Sequence, residues 1–240
     1  MDTIPEWLSR TEMLFGEEAI QRLLSAKVAV FGVGGVGGYA VEVLARSGVG
    51  ELHLFDADTF CESNLNRQLI ATRNSIGQKK VEAAAERIKL INPQCKVSAH
   101  EMFYLPENAH LVDLSAFDYV ADCVDTVSAK VELIRRCTQA DVPIIVSMGA
   151  ANKLDATAFR VGPLRKTQVD PLAKALRKKL RGEAIGRVKC VWSEEVPCEP
   201  LGTVQYSEAT GRPVPASNAF VPAVAGIILG GEIVKDLIRV

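Results

Sequence analysis

The chain has 240 residues, of which 48% are hydrophobic and 24% charged, and its formal net charge is −1. These proportions are typical of a soluble globular protein, and the charge balance gives no global indication of nucleic-acid binding. The six cysteines form no Cys-x-x-Cys pair, which argues against a structural zinc site and favours a reducing, cytoplasmic setting. The apolar run at 219–231 is too short to cross a bilayer, so we predict a buried helix there.

In chain order, the pattern alternates between predicted helices and short apolar strands. Residues 1–26 predict a helical arm, and a strand at 28–31 begins an alternation that continues to residue 150. The further predicted elements in this part are strands at 51–56, 96–102, 117–123 and 143–147 and helices at 39–47, 75–91 and 127–140. This alternation predicts a Rossmann-like α/β fold, with a mostly parallel sheet and helices on both faces. The remaining residues predict additional strands and a final helix that ends near residue 237.

A glycine-rich turn follows the first predicted strand. Gly32, Gly34 and Gly37 fit the pattern Gly-x-Gly-x-x-Gly, and Gly35 lies inside it. Between a strand and a helix, such glycines permit a tight turn, close approach of a phosphate and close helix–strand packing. The turn therefore predicts a nucleotide phosphate site at the start of the next helix.

Acidic residues follow two of the predicted strands. Asp56 ends the second strand, about 20 residues beyond the glycine turn, where a carboxylate suits the hydroxyls of a ribose. Asp58 fits either the same site or an ordinary turn. Asp125 follows the fourth predicted strand, where open parallel sheets bind ligands, although a helix N-cap is the alternative.

A cluster of polar side chains lies between the second strand and the next helix. Its members are Asn64, Asn66, Arg67 and Gln68, and the segment has no apolar period. We therefore place it on a loop or short helix near the strand ends. There it would offer several hydrogen-bond donors close to a phosphate.

Two adjacent lysines lie near the predicted start of the helix at 75–91. Ser75 and Gln78 fit a capping box, which places Lys79 and Lys80 in the first turns of that helix. Cations are unfavourable at a helix N-terminus, so an anionic partner is one explanation for the pair. Two solvated lysines are the other.

The segment 160–189 is strongly basic, with ten Lys or Arg residues against two acids. Within it, residues 171–180 can form one helix with a basic face. Such a patch suits phosphate backbones and would bind them in a salt-sensitive way, whereas a solvated helix face is the alternative. The candidate RNA-binding residues are Arg165, Lys166, Lys174, Arg177, Lys178 and Arg181.

Together, these motifs resemble the ubiquitin-activating-type adenylating family, which includes the activators of molybdopterin and thiamine sulfur-carrier proteins. The ordered set is Gly-x-Gly-x-x-Gly, Asp-x-Asp, Ser-Asn-x-x-Arg-Gln, Gly-Gln-x-Lys and Asp-Cys-x-Asp. The rest of the chain is most similar to the branch that dehydrates threonylcarbamoyladenosine in tRNA. The features that carry this similarity are Ser-Arg-Thr-Glu, Asn-Arg-Gln, Asp-Pro-Leu-Ala-x-x-Leu-Arg, Cys-Val-Trp-Ser and the lack of paired Cys-x-x-Cys motifs.

The resemblance implies one adenylating domain over residues 1–240. Its parts are the arm at 1–26, a nucleotide-binding half at 27–150 and a substrate-binding and dimerisation half at 151–240 that contains the basic crossover segment 160–189. It implies ATP and Mg²⁺ as cofactors and no zinc. The glycine turn would lie under the ATP phosphates, and the ribose would bind Asp56.

The resemblance also assigns the charged residues. Asn64 or Asn66, Arg67 and Lys80 would hold the phosphates, and Asp125 would handle the magnesium ion. Arg10, in the Ser-Arg-Thr-Glu motif, would enter the site of a neighbouring subunit. That role implies a homodimer.

The implied reaction is ATP-dependent cyclisation of threonylcarbamoyladenosine, through an acyl-adenylate, in a tRNA whose anticodon arm lies on segment 160–189. One alternative is adenylation of the C-terminal glycine of a ubiquitin-like carrier, with a carrier or sulfur-donor protein as partner. An NAD-dependent oxidoreductase and a non-catalytic scaffold are further alternatives. Cys190 and Cys198 could relay sulfur or form a thioester, although buried free cysteines are common.

Overall fold

A computed structural model describes residues 4–206, 211 and 213–239. The first three residues of the predicted arm, and residues 207–210, 212 and 240 of the predicted second half, lie outside the described residues. None of the helices in the described ranges combines the length and the hydropathy that a transmembrane span requires.

A seven-stranded sheet organises the chain, in the strand order β3-β2-β1-β4-β5-β7-β6. All neighbouring strands are parallel except β6, which is antiparallel to β7. The strands are β1 (Lys27–Phe31), β2 (Glu51–Phe55), β3 (Lys96–His100), β4 (Tyr119–Asp122), β5 (Ile144–Ser147), β6 (Phe159–Pro163) and β7 (Lys189–Ser193). The predicted fold class, including the added C-terminal strands and final helix, is confirmed.

Seven α-helices surround the sheet within the described ranges. They are α1 (Ser9–Phe15), α2 (Glu17–Ser25), α3 (Gly37–Arg46), α4 (Lys80–Ile91), α5 (Val127–Gln139), α6 (Pro171–Lys179) and α7 (Val221–Ile238). Apolar side chains from both faces of the sheet form two buried clusters. The buried strands β4 and β5 read as continuous apolar runs because helices cover both of their faces.

The strand order reverses between β1 and β4, since the chain moves outwards to β3 and then returns to the other side of β1. Open α/β sheets bind ligands outside the carboxyl ends of the strands at such a reversal. The glycine turn follows β1 and Asp125 follows β4. The topology therefore brings these two predicted site elements to one crevice.

Helix α7 lies directly on α3, the helix that follows the glycine turn. A side chain at Gly226 would overlap the carbonyl oxygen of Val36, and one at Gly230 would lie 2.8 Å from the Cβ atom of Val43. These glycines let the two helix backbones approach closely. The small residues of α7 therefore serve packing inside the chain.

One predicted helix start is wrong. Helix α4 begins at Lys80, with Lys79 as its N-cap, and Ser75 lies in a separate 3₁₀ turn. The Ser75 hydroxyl bonds to the carbonyl oxygen of Ile70, which removes it from any capping box on α4. The local hydrogen bonds of the loop outweigh the capping-box pattern here.

Candidate active site

The glycine turn is tight enough that two of its positions exclude any side chain. Gly32 has a φ of +87°, and a Cβ atom there would lie 2.8 Å from the carbonyl oxygen of Cys123. A Cβ atom on Gly37 would overlap the carbonyl oxygen of Gly32. Helix α3 begins at Gly37, and the N–H groups of Gly38 and Ala40 already donate to the carbonyl oxygens of Gly34 and Val36, so the N–H groups of the glycine turn itself are the ones that face the crevice at the start of the helix. This geometry suits an anion such as a phosphate group.

Asp56 braces the glycine turn from the end of β2. Its two carboxylate oxygens accept hydrogen bonds from the backbone N–H groups of Val33, at 2.7 Å, and of Asp58, at 2.9 Å. A carboxylate has about four acceptor positions, so both oxygens retain capacity for a ribose hydroxyl.

Arg67 lies over the glycine turn. Its Nη1 atom donates to the Ser63 carbonyl oxygen and to Asn66 Oδ1, both at 2.9 Å. A Cβ atom on Gly35 would lie 3.5 Å from Arg67 Cγ. The guanidinium group is thus held beside the turn by acceptors that leave several of its five N–H groups available.

The two asparagines of this loop differ in environment. Asn64 is buried, and its Oδ1 atom accepts from the backbone N–H of Cys61 at 3.1 Å. Asn66 is exposed, and its Nδ2 atom donates to the carbonyl oxygen of Ser217 at 3.2 Å. Asn64 therefore shapes the loop, whereas Asn66 faces the crevice beside Arg67.

Gln68 contributes a buried acceptor next to the turn. Its Nε2 atom would lie 3.8 Å from a Cβ atom on Gly34, and its Oε1 atom is buried with no hydrogen-bond partner in the described part of the chain. Buried acceptors in native structures usually have a donor. A donor from a ligand would satisfy this oxygen.

Lys80 is the lysine of the adjacent pair that contacts the Asp-x-Asp motif after β2. It is buried, and its Nζ atom lies 2.7 Å from Asp58 Oδ2. Lys79 keeps 40% of its side chain exposed and pairs with Glu101 at 2.5 Å. The hydrogen bond and charge of Glu101 raise the pKa of Lys79, as expected for a surface ion pair. Two lysines next to each other in sequence therefore have different surroundings.

Asp125 lies on the segment 123–126 that connects β4 to α5. It is exposed, and the one hydrogen bond found for its carboxylate among the described residues comes from the Thr126 hydroxyl, at 3.3 Å. Thr126 is the N-cap of α5, so Asp125 is not occupied with capping. No cluster of three or more His, Cys, Asp or Glu side chains suited to a metal occurs in the described ranges. A single free carboxylate fits Mg²⁺ only if ligand phosphates supply further oxygens, which is the usual arrangement for this ion.

Arg10 lies away from this crevice in its own chain. It is exposed on α1, two residues after Leu8, and the Leu8 side chain contacts Gly48. Gly48 follows the C-terminal end of α3, whereas the glycine turn precedes the N-terminal end of that helix. The length of α3 therefore separates Arg10 from the residues gathered around the turn.

The basic residues lie on and beside α6, which runs between the two ends of the sheet. The helix begins next to the carboxyl end of β5, where Asp170 Oδ2 would lie 3.5 Å from a Cβ atom on Gly149. At its other end, two adjoining cavities of about 550 and 260 Å³ share Arg165 as a wall residue. The larger is bounded by Ile144 and Val188, at the amino ends of β5 and β7.

Three of the six candidate RNA-binding residues, Lys174, Arg177 and Lys178, lie on α6, whereas Arg165 and Lys166 precede the helix and Arg181 follows it. Lys174 lies in its first turn, near the crevice, and Arg177 donates to the carbonyl oxygen of Thr167 at 2.9 Å. Arg165, Arg177 and Arg181 line the smaller cavity at the far end. Lys166 and Lys178 are exposed.

The cysteines of interest also differ in exposure. Cys190 is buried in β7, and burial raises the pKa of its thiol. Cys198 is exposed. Cys61 is exposed at the crevice, and a hydrogen bond with Ser63 lowers the pKa of its thiol, with smaller help from nearby backbone N–H groups and Lys80.

Sequence reasoning missed a second buried lysine. Lys130 in α5 and Asp122 in β4 are both fully buried, with Lys130 Nζ 3.1 Å from Asp122 Oδ1. Burial raises the pKa of Asp122, and the positive charge of Lys130 opposes that effect. The available signal was a lysine between Ala129 and Val131 on the apolar face of a predicted helix.

The fold and the crevice agree with comparisons to known proteins. The model of the ThiF family matches residues 8–239, and the chain therefore belongs to that family. A curated relative, the tRNA threonylcarbamoyladenosine dehydratase of Bacillus subtilis, is 44% identical over 239 residues, which cover 96% of this chain and 94% of the relative. The resemblance noted from the motifs is confirmed.

Two further proteins bear on the site. The crystal structure of the Escherichia coli tRNA N6-threonylcarbamoyladenosine dehydratase TcdA in complex with ATP superposes with a TM-score of 0.86 at 33% identity. That match covers 99% of this chain and 96% of the solved one. The E. coli molybdopterin-synthase adenylyltransferase is 37% identical over 141 residues, 58% of this chain and 54% of that protein.

Proposed function

We propose that this protein binds ATP and catalyses the ATP-dependent dehydration of threonylcarbamoyladenosine in tRNA, in the cytoplasm, through an acyl-adenylate intermediate. One observation carries the proposal. Arg67 lies against the glycine turn, Lys80 pairs with Asp58 after β2, and the segment of Asp125 packs on Gly32, in a chain that matches a dehydratase over nearly the full length of both proteins. We also propose that the whole chain, with its arm and its two halves, acts as one adenylating domain.

The first step activates a carboxylate. A carboxylate is a poor electrophile because oxide or hydroxide is a poor leaving group, and ATP converts it into a mixed anhydride. The threonyl carboxylate oxygen attacks the α-phosphorus atom, and the bond to the departing pyrophosphate breaks. Two anions must meet, so fixed cations near the phosphates lower the barrier most effectively.

The crevice residues divide this work. We assign the backbone of the turn at Gly32, Gly34, Gly35 and Gly37 to the phosphates, together with Asn66, Arg67 and Lys80. Lys80 is held by Asp58, and a triphosphate can compete for its ammonium because the Asp58 side chain is 63% exposed. Asp56 and the unpaired oxygen of Gln68 are assigned to the ribose of the nucleotide, while Asn64 supports the loop.

Asp125 is assigned to Mg²⁺, which when bound neutralises phosphate charge and polarises the phosphoryl oxygens. The exposed carboxylate of Asp125 fits this use. Its position beside the glycine turn follows from the contact between Gly32 and the Cys123 carbonyl group.

The second step closes a ring. A nitrogen atom within the threonylcarbamoyl group attacks the activated acyl carbon, and AMP leaves with the oxygen of the former carboxylate. The nucleoside loses the elements of one water molecule in total. ATP is converted into AMP and pyrophosphate. This chain's part in the step is to hold the acyl group and the adenylate together in a crevice that excludes water.

Helix α6 gives the crevice an electropositive approach for tRNA. The basic residues extend from Lys174, in the first turn of α6, to Arg165 and Arg181 beside the cavity at the other end of the helix, and the nine residues of α6 themselves span about 14 Å. Lys166, Arg177 and Lys178 lie between or beside them. An anticodon arm can therefore contact α6 while its modified base enters the crevice.

We propose a homodimer in which Arg10 completes the site of the partner subunit. The arm that carries Arg10 exposes apolar side chains at Trp7, Met13 and Leu14. Exposed apolar clusters of this kind mark protein–protein contacts. Arg10 is also too far from its own glycine turn to act within one chain.

A second candidate function is adenylation of a ubiquitin-like carrier protein, with a carrier or sulfur-donor protein as partner. The observation that favours it is the identity to molybdopterin-synthase adenylyltransferase across 58% of the chain. The same phosphate site would serve either carboxylate. The match over the remaining part, including the basic helix, favours the tRNA substrate.

The experiment that separates them follows ATP turnover and nucleoside mass together. Purified protein is incubated with ATP and with tRNA that carries or lacks threonylcarbamoyladenosine. We expect an ATP-dependent loss of one water from the modified nucleoside, which Arg67→Ala and Asp125→Ala abolish. No mass change with modified tRNA, together with pyrophosphate exchange in the presence of a carrier protein, would reject the dehydratase.

A further inference from the structure

A sealed ion pair lies below the crevice, outside the residues assigned to ATP. The side chains of Lys130 and Asp122 are fully buried, and their charged atoms are 3.1 Å apart. Removing two charges from water costs several kcal/mol per ion, and well-packed apolar side chains often stabilise a protein as well or better. Stability alone therefore gives a weak reason for this pair.

The hydrogen bonds of the pair show what it connects. Lys130 Nζ donates to the Ser147 carbonyl oxygen at 2.8 Å, and Asp122 Oδ1 accepts from the Val124 N–H at 3.2 Å. The pair thus joins the carboxyl end of β4, the carboxyl end of β5 and the first turn of α5. The segment 123–126 connects β4 to α5 and therefore lies between the structural elements that the pair joins.

That segment has one further restraint. The carbonyl group of Cys123 packs against Gly32, so the segment is held between the glycine turn and the buried pair. The Asp125 side chain itself is exposed and makes one long hydrogen bond, to its neighbour Thr126, within the described ranges. The backbone of the segment, rather than the side-chain contacts of Asp125, must set where its carboxylate points.

We infer that Lys130 is a positioning residue for Asp125, acting through Asp122 and the backbone of segment 123–126. The inference rests on the proposed use of Asp125 with Mg²⁺ and ATP. Its physical basis is the reach of Lys130: one ammonium group holds two strand ends at once, and the carboxylate that it anchors holds the N–H of Val124. Partners that orient metal-binding groups typically contribute ten- to hundredfold to metal affinity or activity.

The test uses three variants of the full-length protein. Lys130→Met leaves Asp122 buried without a counter-charge. A loss of ATP affinity in this variant could therefore come from a folding defect as well as from a displaced Asp125. Asp122→Asn combined with Lys130→Met removes both charges and keeps a side-chain oxygen for the Val124 N–H. Lys130→Arg keeps a cation with several donors. We expect this variant to lose less of the Mg²⁺-dependent ATP affinity than Lys130→Met loses.

Three measurements separate positioning from folding. The first is the urea midpoint of unfolding. The second is the affinity for ATP by calorimetry with and without Mg²⁺. The third is the amide hydrogen exchange of residues 123–126. We expect the double variant to unfold near the wild-type urea midpoint. Its Mg²⁺-dependent gain in ATP affinity should fall about ten- to hundredfold. Its amides at 123–126 should exchange hydrogen faster than the amides of β4.

Two results would overturn the inference. In one, the double variant retains both the wild-type Mg²⁺-dependent ATP affinity and the wild-type urea midpoint. In the other, the double variant does not fold, which would assign the pair to stability. Asp125→Asn is the matched control, because its loss of Mg²⁺-dependent affinity tests the proposed role of Asp125 directly. The proposed function has a separate test, the mass of the modified nucleoside. It would be rejected if the wild-type protein left modified tRNA unchanged.

Discussion

Two buried lysines each pair with an aspartate, and the two Lys–Asp pairs are suited to different purposes in one molecule. Lys80 pairs with Asp58 at the crevice, and Lys130 pairs with Asp122 beneath it. The Asp58 side chain is 63% exposed, whereas both members of the deeper pair are fully buried. An open pair can exchange its carboxylate for an incoming phosphate. A sealed pair cannot, and is suited instead to holding strand ends in place.

The largest expected effect contrasts the two carboxylates. Asp122→Ala leaves the Lys130 ammonium buried without a partner, which we expect to lower the free energy of unfolding by about 3–5 kcal/mol. Asp58→Ala removes a carboxylate that is 63% exposed, so water can enter beside the buried Lys80 and the loss should be smaller, about 1–3 kcal/mol. Urea denaturation of both variants measures the difference. Equal losses in the two variants would contradict the distinction between open and sealed pairs.

The next effect concerns catalysis. Lys80→Met removes a cation proposed to contact the phosphates, and we expect kcat/KM for modified tRNA and ATP to fall about 10²–10³-fold. Lys79→Met is the matched control, since it removes the neighbouring lysine, which pairs with Glu101 at the surface. Its kcat/KM should change by less than about twofold. A similar loss in both variants would remove the case for Lys80 at the phosphates.

A smaller effect separates the crevice from helix α6. Lys174→Gln and Lys178→Gln each remove one proposed phosphate contact, so tRNA affinity should weaken and become less sensitive to salt. The slope of log affinity against log salt should decrease in magnitude by about 0.7–0.9 for each lysine. Filter binding across a salt series measures this slope. Lys89→Gln is the control, because Lys89 is exposed on α4 near the opposite edge of the sheet, and an equal change there would point to non-specific attraction.

The smallest effect uses Cys61 as a reporter of the crevice. The hydrogen bond with Ser63 lowers the pKa of its thiol, with a smaller contribution from the charge of Lys80. More thiolate at neutral pH means faster alkylation, so the pH midpoint of the iodoacetamide reaction should lie below that of a free cysteine. Ser63→Ala should raise this midpoint, Lys80→Met should raise it less, and Lys130→Arg should leave it unchanged. A Cys198→Ser background removes the other fully exposed thiol.

Much of the fold followed from local pattern. The alternation of strands and helices, with glycines after the first strand, was sufficient to predict a mostly parallel sheet, because each element must bury one face against the next. Motif spacing also placed Asp56, Arg67 and Asp125 near one another, since the carboxyl ends of parallel strands meet at one edge. The start of α4 was wrong because Ser75 bonds within its own loop.

The residue order and the motifs alone were sufficient to predict the fold class, the family resemblance and a set of charged side chains for the crevice. Only the tertiary structure distinguished buried Lys80 from half-buried Lys79, joined Lys130 to Asp122, and directed α6 from one end of the sheet to the other. The physical reason is that local periodicity and spacing are properties of neighbouring residues. Burial and pairing depend on contacts between segments far apart in the chain, which a one-dimensional pattern does not contain.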